Sequence, residues 1–410
     1  MTGEVLGQRH FRRFWAADTV SIFGTYVTTI ALQVLVVVTL GGTAFDVGLL
    51  NGARWLPYLL LGLLVGALVD RLAHRPVLVV TDLGRGVLLL VIPLLAALDR
   101  LTLPLLLVFM VVFGTMSLFS DAAAQSFLPR VVDRSSLVAA NARLDQSSAV
   151  AQTSGPVIGG ALVSVLGAPV AVLVDAVSYL VSGVVIATVR VTETVSDHRD
   201  GPGLRREIAD GLRWIYRHPV LAPLALSTHG WFLFNSMLGT VFVPFVLLGL
   251  HLSAFELGLT LAAAGVGGLV GSLASTRLGT TYGAGLTVLA SRFAQPVAWA
   301  VIALAPQSGS DPVVVAVLAF GQLLFGLAMG AQSANEMGYW QANTPDELQG
   351  RTNATRRSAN RAMIVVGAPL GGFLADAIGF RPVLWIGVVG FVVVTTALAW
   401  SPFRHARHDD

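Results

Sequence analysis

Twelve apolar segments run through the chain, and each is close to the length that crosses a lipid bilayer. A transmembrane helix needs about 20 mostly apolar residues. Only 12% of the residues are charged, whereas soluble proteins carry about 25%. The sequence therefore predicts an all-α membrane protein with spans at 14–39, 46–69, 77–98, 101–124, 142–166, 169–190, 220–248, 254–278, 284–305, 312–340, 353–376 and 380–401.

The two halves of the chain repeat one another. Residues 141–167 recur 212 positions later with Asn, Ala, Gly and Leu at matching places, and an offset of 210 aligns 45–49 with 255–259. Internal duplication of this kind is common in membrane transporters. The repeat predicts two pseudo-symmetric six-helix bundles, at 1–190 and 219–410.

A polar segment at 191–218 joins the two predicted bundles. Its second part places Leu204, Ile208 and Leu212 at helical spacing with arginines between them. This pattern is typical of an amphipathic helix that lies on a membrane surface. We interpret the segment as a passive tether, and a regulatory or partner-binding role is the alternative.

The placement of arginine predicts the orientation in the membrane. All 26 basic residues are arginine, and most lie in the termini and in the even-numbered gaps between spans. The positive-inside rule puts that side in the cytoplasm. Both termini and the linker are therefore predicted to be cytoplasmic. The same arginines account for the pI near 9.7, so we expect no nucleic-acid partner.

The sequence lacks the residues and motifs that several kinds of chemistry require. The chain has no cysteine, which excludes disulfides and thiolate metal sites. It has no Gly-Lys-Ser/Thr phosphate loop, no Gly-x-Ser-x-Gly elbow and no His-Glu-x-x-His pair. These motifs serve ATP binding, acyl transfer and zinc hydrolysis. We therefore expect no enzyme activity, no cofactor, no metal and no ATP-driven transport.

The gap between the second and third spans holds a short charged turn. Gly66 lies near the end of the second span, Asp70 follows one turn later, and Arg71 and Arg75 occupy the gap. Asp70 can face the positive end of a neighbouring helix, while the arginines hold the cytoplasmic surface. We predict that these four residues form a conformational switch that latches one state and releases in another.

The fifth span carries a glycine motif that reads Gly155-Pro156-Val-Ile-Gly159-Gly160. Gly155 and Gly159 lie four residues apart, so they form a smooth stripe on which a neighbouring helix can pack closely. Pro156 removes a backbone donor and bends the helix. The motif predicts a close helix contact at this point of the membrane.

With these two motifs the chain resembles the major facilitator superfamily. The charged turn matches that family's signature Gly-x-Leu-Ala-Asp-Arg-x-Gly-Arg-Lys, also at Leu68, but has Ala73 and His74 where the signature has glycine and a basic residue. The glycine motif is similar to the Gly-Pro-x-x-Gly-Gly signature of the family's drug exporters. Further segments, such as 128–132 and 211–219, resemble the branch that holds macrolide-efflux proteins and the enterobactin exporter.

The resemblance implies how such a protein works. It implies a twelve-helix bundle that moves its solute by alternating access around a cavity at the membrane midplane. It also implies export of small amphipathic molecules, such as drugs, macrolide-like compounds, siderophores or other natural products. Because the sequence encodes no ATPase, the expected drive is the proton gradient.

The chain departs from the family pattern at two places. Many members carry an acid just after the glycine of the first span, but here Gly24 is followed by Thr25. Asp18, two turns earlier on the same face, is the candidate substitute. The fourth span lacks the arginine found in several drug-antiporter groups and holds the acid Asp121. These departures leave open which residue carries the proton.

Charged residues inside membrane spans are costly and are functional candidates by default. Asp82 and Arg85 lie three apart on one face of the third span, as either a structural ion pair or a gating pair. The repeat sets Arg292 opposite Asp82, which would suit a pair between the two bundles. The candidate proton or gating charges are Asp18, Asp82, Arg85, Asp121, Asp175, Arg292 and Glu336.

Some of these acids have a second interpretation. Asp18, Asp121 and Glu336 fall near the cytoplasmic ends of their helices, where a cap or rim charge is the ordinary role. Asp175 is a candidate proton carrier in the outer third of the sixth span. A buried helix clamp with Ser178 is the competing view.

Two arginines lie near the middle of their spans. Arg54 and Arg361 are each about 13 Å from the start of their helix at a rise of 1.5 Å per residue. Unneutralised, they would favour an anionic or carbonyl-rich ligand, and a salt bridge to an acid not evident from the sequence is the alternative. Asn235 is a further candidate for lining the cavity.

The sequence thus predicts a proton-coupled exporter, monomeric and multi-pass, in the bacterial cytoplasmic membrane. Its expected partners are a small-molecule substrate, protons and the lipid bilayer. Proton-coupled uptake is the alternative within transport. A non-transporting sensor or membrane scaffold is the alternative from another class, and the midplane positions of Arg54 and Arg361 disfavour it.

Overall fold

The computed structural model describes residues 8–69, 71–133, 136–189, 204–307 and 312–406. All regular secondary structure in these ranges is helical. The helices are α1 (Arg9–Val34), α2 (Ala44–Val69), α3 (His74–Ala97), α4 (Leu103–Val131), α5 (Leu137–Leu166), α6 (Ala168–Ala187), α7 (Leu204–Arg217), α8 (Leu221–Pro244), α9 (Ala254–Tyr282), α10 (Ala284–Ala303), α11 (Pro312–Ala342), α12 (Asp346–Ile378) and α13 (Phe380–Ala399).

Twelve of these helices are long, which agrees with the predicted all-α membrane architecture. Eleven, all except α2 and α7, are long and apolar enough to cross a membrane. With 26 residues α2 also exceeds the length required. The 14-residue helix α7 lies in the predicted linker.

Two helices extend well past their predicted cytoplasmic ends. Helix α4 continues to Val131 rather than stopping at 124, and α12 begins at Asp346 rather than at 353. Hydropathy marks where lipid contact ends, but packing can sustain a helix beyond that point. In the extended part of α4, Phe127 is buried and meets Phe14 of α1 edge to face, with ring centroids 5.6 Å apart.

The chain divides into two compact units, and the first comprises Met1–Gly41 and Ala53–Asp200. In this unit α1 packs against α5 and α6, while α3 packs against α4 and α6. Apolar side chains at one end of these helices form a common core. Its buried members include Phe11, Phe14, Val69, Leu78, Phe127, Val131 and Ile186.

The second unit comprises Gly42–Gly52 and Gly201–Asp410. Here α8 packs against α12 and α13, and α11 packs against α9 and α10. A core of buried apolar side chains gathers around Phe403, whose ring lies edge to face with Tyr339 at 5.3 Å between centroids. The beginning of α2 also lies in this unit, a placement that the sequence repeat does not indicate.

The internal repeat recurs as local structure within each unit. A five-residue π-helical turn follows α1 at Leu35–Thr39 and follows α8 at Phe245–Gly249. The turn from α5 to α6 has Gly167 with φ +81°, and the turn from α12 to α13 has Gly379 with φ +92°. Glycine alone adopts this conformation without a steric penalty, which explains why both copies carry it.

The linker helix α7 packs on protein of the second unit, and its predicted place on the membrane face and its role as a passive tether stay predictions. Its Asp210 forms an ion pair with Arg351 of α12 at 3.5 Å. A Cβ added at Gly211 would lie 3.0 Å from the backbone oxygen of Arg351. Ile215 is buried in the core with Leu221 of α8. Within the described side chains of this helix, Ile215 therefore meets the second unit, whereas Leu212 is 41% exposed.

Candidate functional site

The first unit contains a buried ion pair on α3. Asp82 is 4% exposed and pairs with Arg85, which is 7% exposed. The second oxygen of Asp82 accepts a hydrogen bond from Ser182 of α6 at 2.6 Å. Arg85 also donates to Ser120 of α4 at 2.9 Å and lies 4.3 Å from the ring centroid of Tyr179. Because each charge has several partners, this geometry fits the structural alternative better than the gating one.

Two further acids lie close to this pair. Asp18 of α1 is within electrostatic range of Asp82, Arg85 and Asp121. Asp121 of α4 accepts a hydrogen bond from Tyr58 of α2 at 2.7 Å. Within the described ranges no donor reaches Asp18. Three carboxylates therefore lie within electrostatic range of one guanidinium, about 12–15 Å along their helices from the ends at Arg9, His74 and Val131.

Asp175 of α6 lies in a second, fully buried position. One oxygen accepts a hydrogen bond from Ser178 at 2.9 Å, and the other forms no hydrogen bond of good geometry, although the hydroxyl of Thr28 on α1 lies near the carboxylate. A Cβ added at Gly24 of α1 would lie 2.1 Å from the first oxygen. The first span has no acid directly after Gly24, but Asp175 of the sixth span brings a carboxylate to the same place.

Hydroxyl groups connect Asp175's surroundings with the ion pair. The hydroxyls of Thr25 and Tyr179 are 2.8 Å apart, and Arg85 lies 3.4 Å from the Tyr179 hydroxyl. Asp175 and Arg85 are also within electrostatic range of one another. The two groups of acids in the first unit therefore share one polar core.

Arg54 of α2 has no carboxylate partner in the part of the chain that the structure describes. It donates to the hydroxyl of Thr29 at 3.1 Å and lies 5.6 Å from the ring centroid of Phe113. The residue is partly exposed, and Asp175 lies within electrostatic range of it. The predicted relation of Arg54 to Arg361, on α12 of the second unit, stays a prediction, and so does the cavity role of the half-buried Asn235 on α8.

The second unit has a buried ion pair of its own. Arg292 of α10 is 1% exposed and lies 3.1 Å from Glu336 of α11. Arg292 also donates to Ser227 and Thr228 of α8, each at 2.7 Å. Gln332 donates to Glu336 at 2.8 Å. This network joins three helices through one charged pair.

This network corrects two expectations. Arg292 does not pair with Asp82, because Glu336 lies against it on the neighbouring helix. Glu336 is not a rim charge, because it is 8% exposed and accepts three hydrogen bonds. Its place near the end of α11 suggests a rim charge, but side chains of the neighbouring helices α8 and α10, Thr228 and Arg292, enclose the carboxylate.

Sequence reasoning missed a hydrogen-bonded histidine on α8. His229 lies 2.8 Å from the hydroxyl of Tyr216 on α7 and 2.7 Å from the amide oxygen of Asn360 on α12. An amide oxygen only accepts, so the ring donates through Nδ1 and accepts from Tyr216 through Nε2. The available signal was an ionisable residue within an apolar span.

The charged turn after α2 is described only in part. Asp70 lies outside the described residues. Arg75 at the start of α3 donates to the backbone oxygens of Ile186 and Ala187 at the end of α6. A cation at this place satisfies carbonyls that lack a partner within the helix. Arg71 is exposed, and a Cβ at Gly66 would meet nothing within 4 Å. The switch role of this turn stays a prediction.

The glycine motif of α5 makes the close helix contact that the sequence predicts. A Cβ added at Gly155 would lie 2.6 Å from the Cβ of Tyr26, and one at Gly159 would lie 3.1 Å from the Cα of Val27. Both neighbours belong to α1. Pro156 lies inside α5, and Gly160 is buried. Small residues here let α5 lie directly on the backbone of α1.

We expect Gly159→Leu to lower the unfolding temperature and to abolish transport, because the added carbons must push α5 away from α1. Overpacking of this kind costs about 1–3 kcal/mol. Thermal unfolding in detergent checks the first effect, and flux in vesicles checks the second. Val165→Leu is the matched control, since Val165 lies on the same helix and is 81% exposed. A Gly159→Leu protein as stable and active as that control would contradict the packing role.

Comparison with known proteins identifies the family. The model of the Major Facilitator Superfamily matches residues 14–368 and 224–409. The chain belongs to the major facilitator superfamily. The multidrug efflux pump Tap of Mycolicibacterium fortuitum is 28% identical over 384 residues, which cover 89% of this chain and 91% of that protein. Macrolide efflux protein A of Streptococcus pyogenes is 21% identical, with 98% and 97% covered.

Solved structures of the superfamily share the fold. A bacterial homologue of the iron transporter ferroportin, in an inward-facing state, superposes with a TM-score of 0.75 at 16% identity. The match covers 95% of this chain and 98% of that one. The predicted resemblance to the superfamily and to its macrolide-efflux members is thus confirmed, and the protein belongs to a family of membrane transporters.

Proposed function

We propose that the protein is a proton-coupled exporter of small amphipathic molecules that works by alternating access in the bacterial cytoplasmic membrane. Export is supported by the relatives, which are named for multidrug and macrolide efflux. It is also supported by the packing of Gly155 and Gly159 on α1, which occupies the place of the drug-exporter signature.

The observation that carries proton coupling is the buried carboxylate of Asp175. It has 0% exposure and no contact ion pair within the described ranges, and the hydroxyls near it belong to Ser178 and Thr28. An unpaired charge is costly to bury. Asp175 is therefore suited to hold a proton while it is shielded and to release it when water reaches it. Because it lies about 11 Å from the start of α6, which is the predicted outer end, it would take up its proton from that side when the outer side opens.

A proton released there would pass to the acids nearer the cytoplasm. The hydroxyls of Tyr179 and Thr25 lie between the two groups, 2.8 Å apart. Asp18 is the proposed acceptor, because it shares the single guanidinium of Arg85 with two other acids. One proton there offsets part of the excess negative charge. Proton entry along this route would be exchanged for export of the solute.

Arg54 is the proposed contact for the solute. Its guanidinium forms no contact ion pair among the described residues, although Asp175 lies within electrostatic range, and it lies beside the rings of Phe113 and Trp55. A cation next to aromatic surface suits a molecule with an apolar body and a carbonyl or anionic group. Macrolides and catecholate siderophores both have this composition. A permanently cationic dye should be a poorer substrate.

Everted membrane vesicles with an acidic lumen test the proposal. Wild-type protein should accumulate a macrolide or a catecholate siderophore in the lumen, and a protonophore should abolish the effect. Asp175→Asn should lower this rate about tenfold or more, while substrate exchange without a pH gradient persists because it needs no net proton movement. Asp145→Asn is the matched control, since Asp145 is an exposed acid on α5.

Three other results would each remove part of the proposal. Accumulation in the opposite direction would indicate uptake. Full gradient-driven activity of Asp175→Asn would exclude this acid as the carrier. Accumulation that persists unchanged in the presence of the protonophore would exclude proton coupling.

A further inference from the structure

The junction between α12 and α13 repeats the charged turn that follows α2. Residues 66–78 read GALVDRLAHRPVL and residues 372–384 read GFLADAIGFRPVL, with seven identities in thirteen positions. This match is separate from the repeat of the two halves, because it pairs the gap after the second span with the gap after the eleventh. The two turns are therefore predicted to lie on opposite sides of the membrane.

The arginines of the two turns make the same kind of contact. Arg75 at the start of α3 donates to the last carbonyls of α6, at Ile186 and Ala187. Arg381 at the start of α13 donates to Ala303 at 2.7 Å and to Ala305, at the end of α10. In each unit an arginine that begins one helix thus caps the end of another. The outer turn is a structural counterpart of the inner one.

The acid of the outer turn holds the beginning of α2. One oxygen of Asp376 accepts the backbone N–H of Ala44 at 3.1 Å, and the other accepts that of Phe45 at 3.0 Å. These donors lack partners within the helix, and the positive end of the helix dipole strengthens the bonds. The first turn of α2 is thus capped by a residue more than 300 positions away in sequence.

The same end of α2 lies directly on α12. A Cβ added at Gly372 would be 2.2 Å from the backbone oxygen of Ala44, and one at Gly48 would be 2.5 Å from that of Ala368. The rings of Phe45 and Phe373 meet edge to face at 6.2 Å. Besides the two hydrogen bonds, the contact includes these glycines, Gly52 against Pro369, and one aromatic pair. Asp376 is the charged residue of this contact, and its side chain is exposed.

We propose that Asp376 is a latch that keeps the beginning of α2 on α12 and that this latch opens once in each transport cycle. A surface carboxylate bound to two backbone amides suits this task. The bonds are strong enough to hold the contact, and water can replace them when the contact opens. That the latch opens in each transport cycle rests on the proposed function, whereas the role of Asp376 in holding α2 on α12 does not.

Spin labels can measure the latch directly. The chain has no cysteine, so Thr43→Cys and Ala377→Cys, both at exposed positions, place two labels beside the latch in otherwise intact protein. We expect a short label-to-label distance in this parent. Asp376→Ala should raise the ratio of long to short distances about tenfold, and Asp376→Asn, which keeps one acceptor, should have a smaller effect.

Asp46→Asn is the matched control. Asp46 accepts the backbone N–H of Thr43 within the same turn, so its loss weakens the local cap without touching α12. An unchanged distance distribution in Asp376→Ala, with normal thermal stability, would overturn the latch. If Asp376→Ala does not fold, the distance distribution of Asp376→Asn is compared with that of Asp46→Asn instead, and equal distributions would overturn the latch. If Asp376→Ala changes the distance but the parent protein transports none of the tested solutes, the latch is supported and the proposed function is rejected.

Discussion

Replacing Glu336 with alanine is expected to destabilise the protein by about 3–5 kcal/mol, because it leaves the buried charge of Arg292 without its partner. Arg292 is 1% exposed and cannot turn toward water without unpacking α10 from α11. Its remaining contacts are the hydroxyls of Ser227 and Thr228, which carry no charge. The expected result is a large drop in the unfolding temperature and a loss of folded yield.

Removing both charges separates the energy of the pair from the cost of an orphaned charge. Replacement of a buried ion pair by apolar residues is often close to neutral, so Arg292→Leu with Glu336→Leu should recover much of the stability lost by Glu336→Ala. Glu256→Ala is a control for loss of a partly exposed acid in the same unit. Glu256 completes a capping box with Ser253, whose loss costs about 1 kcal/mol.

Thermal unfolding followed by tryptophan fluorescence in detergent ranks these variants. The expected order of stability is wild type, then Glu256→Ala, then the double variant, with Glu336→Ala lowest. A Glu336→Ala protein as stable as Glu256→Ala would mean that water reaches Arg292. The pair would then no longer count as buried.

Ion pairs show what the sequence could and could not predict. Asp82 and Arg85 are three residues apart on one helix, so their pairing follows from helical periodicity. Arg292 and Glu336 lie 44 residues apart on different helices. Periodicity places each charge on a face but does not say which face of a neighbouring helix lies opposite. The sequence repeat aligns Arg292 with Asp82 and so suggests these two residues as partners. Such an alignment relates equivalent positions of the two halves, but it does not predict which residues touch within one half.

Glycines were easier to interpret than charges. Two glycines four apart predict a close helix contact whatever the partner is, and Gly159 confirms it against α1. The partner itself was not predictable. Likewise the absence of an acid after Gly24 was evident from the sequence, but its replacement by Asp175 from α6 depends on how α1 and α6 pack.

The second large effect is expected at the crossing of α9 and α11, which pass each other at backbone distance. A Cβ added at Gly326 would lie 1.9 Å from the backbone oxygen of Ala264. Cβ atoms at Gly267, Gly271 and Gly330 would each lie 2.1 Å from a backbone oxygen of the facing helix. Backbone atoms cannot turn aside as side chains do, so any added carbon must separate the helices.

We therefore expect Gly326→Ala to prevent folding to a stable product, although alanine favours the helix itself. Gly239→Ala is the matched control, because Gly239 lies in the apolar helix α8 and a Cβ there would meet nothing within 4 Å. Size-exclusion profiles and unfolding temperatures of the two proteins check the difference. Equal profiles for both would show that α9 and α11 do not touch along this seam.

The effect should also be strongly non-additive along the seam. Gly326 and Gly330 lie one turn apart on α11 and face the same helix, at Ala264 and Gly268. Once alanine at 326 has separated the helices, a second alanine at 330 has little left to displace. Coupled sites of this kind depart from additivity by about 0.5–3 kcal/mol. The double variant should therefore be scarcely less stable than Gly326→Ala alone, whereas two independent contacts would lose stability in proportion.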